Sequence, residues 1–206
     1  MRRERLGGWC MIAGAVMGVV TMAFHPTRAE RAGLALAVHA LALAAAPLAL
    51  YGGWVLTRRL SAGGAAAELA LSFYALSMVA TLLAATASGL LAPDLFARTA
   101  GLQGEARAAA EAVSHYNHAL NQAFARVLAA ASSVAIGLWS IEIVRTRLLH
   151  RAKGIFGCIV AALVFLALFS GHLRMDVHGF GAVVLAQAVW LVLVGAELSG
   201  AGNEPS

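Results

Sequence analysis

The sequence predicts an all-α, polytopic membrane protein: a bundle of about six transmembrane helices forming one domain over residues 1–206. Three observations predict it. Hydrophobic residues make up 61% of the 206 and charged residues only 12%, with a mean hydropathy of +0.79, far from the composition of an ordinary soluble domain. Six stretches are apolar over the about 20 residues that a helix needs to cross the hydrocarbon layer. The connections are mostly short and leave no room for a second domain, and a strand edge in lipid would leave its backbone unsatisfied, so helices are the consistent choice.

The first span, residues 7–24, follows Arg2, Arg3 and Arg5 as a secretion signal would. It is long, however, and ends in His25-Pro26-Thr27-Arg28 rather than at a small-residue cleavage site, so it is expected to persist as an anchor. The second, 33–56, carries Pro47, which should bend it, and His39, alone in an otherwise apolar stretch. The third, 68–91, places Tyr74, Ser77, Thr81 and Ser88 on one side. The fourth, 122–144, belongs to a proline-free, alanine-rich run from Glu105 to Arg145. As one helix that run would extend about 60 Å, roughly twice the hydrocarbon thickness, so part must project or bend. The fifth, 154–171, is as short as the first, and the sixth covers 178–198. Cys10 and Cys158 are expected to pack as small apolar residues rather than pair. Gly14-Ala-Val-Met-Gly18 has a spacing that lets helices approach closely, which would suit a membrane-protein partner or a homo-oligomer.

With the amino terminus in the cytoplasm, the inner side carries Arg2, Arg3, Arg5, Arg58, Arg59, Arg145, Arg147, Arg151 and Lys153. The outer side carries Arg28, Arg31, Arg98, Arg107 and Arg174, so the bias of basic residues favours this threading. The scatter of these residues over helix ends explains a pI near 10.0 and argues against nucleic acid as a partner; the lipid bilayer is the expected one. The excess of Ala and Arg over a single Lys suggests a GC-rich bacterial source and hence the cytoplasmic (inner) membrane.

On the fourth span, Glu111, His115, His118, Gln122, Arg126, Ser133 and Ser140 share one narrow helical sector, expected to line the bundle interior opposite the polar side of the third span. Arg126, about a turn inside the membrane, needs a partner or must reach upward. Asp94 or Asp176 would serve as counter-ion, or the guanidinium would hold an anionic ligand group such as a haem propionate.

The same threading gathers His25, His39, His115, His118, His172 and His178 at or near the outer face. His115 and His118 share a helix face at i, i+3. The turn from His172 to His178 adds two imidazoles, Met175 and Asp176, a donor set suited to zinc or copper, with the thioether favouring Cu(I). A transition-metal site of His25, His115, His118, His172, Asp176 and His178 is therefore the leading functional expectation, with Glu111 and Asp94 as further carboxylates. Haem b, ligated by His39 and His118 with Arg126 near a propionate, is the second form of the idea. A small-molecule or ion transporter using His39 or Gln187, and an accessory subunit of a larger membrane complex, are the alternatives from other classes. Nucleotide-binding loops, hydrolase elbows, covalent-haem motifs and an intrahelical Schiff-base lysine are lacking in the sequence.

Overall fold

The protein is described by a computed structural model covering residues 2–26, 32–61 and 64–200. Arg28 and Arg31, which entered the orientation argument, lie outside the described residues. The chain forms α1 (Arg2–Ala23), α2 (Ala32–Leu60), α3 (Ala66–Thr86), a π-helical turn (Ala87–Leu91), α4 (Ala92–Thr99), α5 (Gly104–Thr146), α6 (Arg151–Phe169) and α7 (Val177–Gly200), with no strand among the described residues. Six rods, counting α3 through α4 as one, are long and apolar enough to cross a membrane.

The third rod runs to Thr99 rather than stopping at 91. Pro93 explains how: it has no N–H to offer the Gly89 carbonyl, and its ring would clash with that carbonyl. A widened turn absorbs the misfit, with Ala92 N–H reaching back five residues to the Ala87 carbonyl. The Asn117 side chain of α5 donates to the same carbonyl at 3.1 Å, tying the turn to its neighbour. The fourth span is one uninterrupted helix of 43 residues, about 64 Å long, that ends where Arg147 takes a left-handed conformation.

The rods form a closed ring in the order α1, α2, α3, α5, α6, α7, and α5 also touches α2 and α7 across it. Its inward face is read by burial: Asn117, Ala125, Leu128, Ser132, Ile136, Trp139 and Ile143 are all buried. This corrects the expected polar sector, of which only Ser133 and Ser140 are buried. Glu111, His115, His118 and Arg126 are exposed, because the packed face is turned by about one residue and the first third of α5 rises beyond the ring. The polar side of α3 does face α5, with Tyr74 and Ser77 buried.

Helix association in lipid draws on close packing and interhelical hydrogen bonds more than on apolar burial, and both are visible. Tyr74, Trp139 and Trp190 form a row of rings, centroids 5.1 and 6.3 Å apart. The Trp139 indole donates to Thr57 Oγ1 at 3.0 Å, and the Trp190 indole to the Lys153 carbonyl at 3.0 Å. Gln187 of α7 accepts from Ser132 at 2.9 Å and donates to Ser133 at 3.2 Å. Along α1, a Cβ added at Gly14 would stand 2.9 Å from Ala49 Cβ, and one at Gly8 would overlap the Gly195 backbone, whereas Gly18 has only Val184 at 3.7 Å. The Gly14 end of the small-residue motif is thus spent on α2 of the same chain. Ion pairs Glu4–Arg59 (2.7 Å), Glu142–Arg145 (2.8 Å) and Glu197–Lys153 (2.7 Å) mark the basic end of the ring; the opposite end carries most of the histidines.

Candidate functional site

At the histidine end, the tip of α1, the first turns of α2, the π turn, α5 and the start of α7 enclose a chamber of about 210 Å³. His25 follows the end of α1, His39 comes from α2, His118, Asn121 and Gln122 from α5, and Met175 and Asp176 from the α6–α7 connection. Met22, one turn before His25, also lines it.

His39 is only 5% exposed, and its Nδ1 lies 2.6 Å from the Ala35 carbonyl. A carbonyl oxygen can only accept, so Nδ1 carries the proton and the neutral ring keeps its lone pair on Nε2. The His25 ring stands edge-on to it, centroids 5.1 Å apart and planes at 72°. His25 Nδ1 is buried without a hydrogen-bond partner among the described residues. Burial, reinforced by the neighbouring His39, pulls the His25 pKa below its ordinary 6.5 and favours the neutral ring. Two local features hold the pair. Thr21 Oγ1 lies 2.9 Å from the Met17 carbonyl and 3.1 Å from the Val38 carbonyl, bridging α1 to α2 beside the rings. Gly89 of the π turn presses on His39 so closely that any Cβ there would overlap the His39 side chain, with His39 Cγ at 2.6 Å.

Toward the middle of the ring a second cavity of about 130 Å³ shares Thr21, Met22, Ala42, Thr81, Leu128 and Phe180 with the chamber. Its lining is otherwise almost wholly apolar, apart from the Ser132–Gln187 bond and the buried Tyr74. On the flank, a third and larger cavity of about 890 Å³ carries Arg126, Arg174 and Asp176.

The predicted residues separate into two groups. His25, His39, His118 and Asp176 all border the chamber. His115 instead lines a cleft between α4 and α5 with Glu111. His172 is exposed and bonded through Nδ1 to Ser170 Oγ at 2.9 Å, and His178 is exposed on the first turn of α7. Asp176 caps that helix, accepting from Gly179 N–H at 2.9 Å and His178 N–H at 3.1 Å. These bonds, that of Gly179 first, hold its carboxyl below the usual carboxylate range, with the charges of His178 and Arg174 adding to the effect. Among the described residues, no three His, Cys, Asp or Glu side chains gather closely enough to hold a metal ion. The broad histidine layer expected from the spans thus reduces to one close imidazole pair. Arg126 lines the flank cavity and not the chamber. Neither expected counter-ion pairs with it among the described residues: Asp94 pairs with Arg98 at 2.8 Å, and Asp176, although it lines the same flank cavity, makes no ion pair with Arg126; Glu111 is held by Arg107 at 2.7 Å.

Two residues of the chamber, Met22 and Asn121, and one at the opposite, basic end, Glu142, escape the sequence reading. Met22 is recoverable from its i, i+3 relation to His25, and Asn121 from Asn117 at i, i+4. Glu142 is fully buried, with Oε1 on Arg145 and Oε2 unpartnered among the described residues; nothing in its local sequence marks it.

Fold and site together define a class: a six-rod helical membrane-type bundle with a histidine-paired chamber at one end. No known protein family, curated protein or solved structure matches the chain.

Proposed function

We propose that the chain is a multi-pass protein of the bacterial cytoplasmic membrane, amino terminus inside, that handles a transition metal in its outer, periplasmic chamber, and that the metal is Cu(I). The observation that carries this reading is the His25–His39 pair. A metal about 2 Å from one nitrogen of each ring, at a near-tetrahedral angle, leaves the ring centroids about 5 Å apart, matching the 5.1 Å separation. The Ala35 carbonyl on His39 Nδ1 orients that ring and leaves Nε2 to ligate, the usual arrangement for a metal-bound imidazole. Zinc would want four donors, typically from His, Cys, Asp and Glu. Cu(I) accepts soft thioether sulfur, and Met22 and Met175 border the same space.

Haem b fits less well. His39 and His118, its expected axial ligands, both border the chamber, but Arg126 does not, and a chamber of about 210 Å³ falls below the about 300–1,000 Å³ of ordinary drug-sized pockets. The transport alternative draws on the wall shared by the two stacked cavities. Against it, the inner cavity offers an ion little but hydrocarbon, and the Tyr74–Trp139–Trp190 row closes the way toward the basic end. Binding rather than passage is favoured.

The test is an anaerobic Cu(I) titration of the detergent-purified protein against a chromogenic chelator, with a visible spectrum beside it. One copper per chain is expected, lost in H25A/H39A and kept in H172A/H178A. Copper retained by H25A/H39A, or a Soret band on the purified protein, would sink the reading.

A further inference from the structure

We infer that the flank cavity is a binding site for an anionic phospholipid, its phosphate held between Arg126 and Arg174. Arg126 and Arg174 both line this cavity of about 890 Å³, and neither forms an ion pair among the described residues. The side chains around them are unlike those of an ordinary solvated basic surface. Val127 and Phe169 are exposed apolar neighbours within the same lining, and Leu168 extends the apolar wall along α6. A guanidinium beside such a wall, on a helix that the sequence places within the bilayer, is costly unless an anion meets it. Two guanidiniums above an apolar wall fit an amphiphile with a charged head and hydrocarbon tails: the planar forks match phosphate oxygens, and the tails lie on Val127, Leu168 and Phe169.

The other titratable groups of the cavity, Asp176 and His118, do not cancel this preference. Asp176 is anionic, its Oδ1 accepting from the N–H groups of Gly179 and His178, and the two arginines outnumber its single charge. His118 adds no negative charge. The inference does not depend on copper: this cavity shares Met175, Asp176 and His118 with the chamber, but His25 and His39, which carry the copper reading, are not among its lining residues.

The experiment is native mass spectrometry of the full-length protein in detergent, offered phosphatidylglycerol and phosphatidylcholine at equal concentration. Phosphatidylglycerol should be retained about tenfold more strongly, the effect of one charge-assisted contact or more. The R126Q/R174Q variant should bind both lipids alike, and R126K/R174K should keep the preference while binding several-fold more weakly. Equal retention of the two lipids by the unaltered protein would overturn the inference, as would a preference that survives R126Q/R174Q. Displacement of the lipid by inorganic phosphate would also overturn it, by making a free anion the ligand. Should R126Q/R174Q fail to fold, the unaltered protein and the lysine variant still decide the matter.

Discussion

Replacing Gly89 by Ala joins the backbone of the π turn to the chemistry of the chamber in one measurement. An added Cβ would overlap His39 Cβ and stand 2.6 Å from its Cγ, where ordinary contact begins near 3.4 Å. Neither atom is the free end of a flexible side chain, so helix or ring must yield by about 1 Å. Overpacking of this kind costs about 1–3 kcal/mol of stability. A metal site tolerates only about 0.2 Å in its bond lengths, so the same displacement should lower Cu(I) affinity by about 100-fold, the upper end of losses seen when a ligand's support is disturbed. Thermal unfolding in detergent reads the first effect, and competition with a chromogenic Cu(I) chelator reads the second. G101A is the control, because nothing lies within 4 Å of a Cβ at that turn. A G89A protein as stable as the parent would refute the packing argument. One that is destabilised yet binds copper normally would refute the role given to His39.

Gln187→Leu should cost under about 1 kcal/mol, since Ser132 and Ser133 can each fall back on a carbonyl of their own helix, at 2.7 Å to Leu128 and 2.7 Å to Ala129; a loss of several kcal/mol in unfolding would show that the clamp is essential. Copper affinity should hold through neutral pH and weaken only in acid, because the depressed His25 pKa keeps protons from competing across the ordinary histidine range; affinity unchanged in acid strong enough to protonate every imidazole would exclude imidazole ligands. The depressed carboxyl of Asp176 gives stability above the unfolded carboxylate value that fades as the pH falls through its lowered folded one, so D176N should flatten the acid limb of the stability profile; an unaltered limb would contradict the capping role. In a background lacking Cys10 and Cys158, H150C and H172C should react with an impermeant thiol reagent from opposite sides of the membrane, and labelling from one side would overturn the threading.

Regularity decides how much of this was legible in the sequence. The spans could be read because length and apolarity are enforced by the bilayer at every residue, and the unbroken run from Glu105 to Arg145 announced α5 because nothing in it stops a helix. His39 stood out for the same reason, as an imidazole where only hydrocarbon is cheap. The π turn was hidden, because Pro93 reads as a terminator unless a widened turn ahead of it absorbs the lost bond. The polar sector of α5 misled in its upper half, since a helical wheel reports which residues share a side but not whether a neighbour reaches that far. Glu111, His115 and Arg126 sit where the ring has ended or opened. His172 and His178 were joined to the cluster by their place at one end of the bundle, while membership in the chamber depends on which way a short turn leaves α6.

The unequal seating of α1 has a mechanical consequence. Near Gly8 and Gly14 its backbone lies against α7 and α2 with no space for even a methyl group, whereas from Gly18 onward it borders two cavities. The helix is therefore gripped most closely along its basic half, while toward the tip that precedes His25 it is tied to α2 through Thr21, whose hydroxyl lies 3.1 Å from the Val38 carbonyl. A side chain larger than glycine is thus excluded from the basic half of α1 at Gly8 and Gly14 but admissible at Gly18, nearer the imidazole pair.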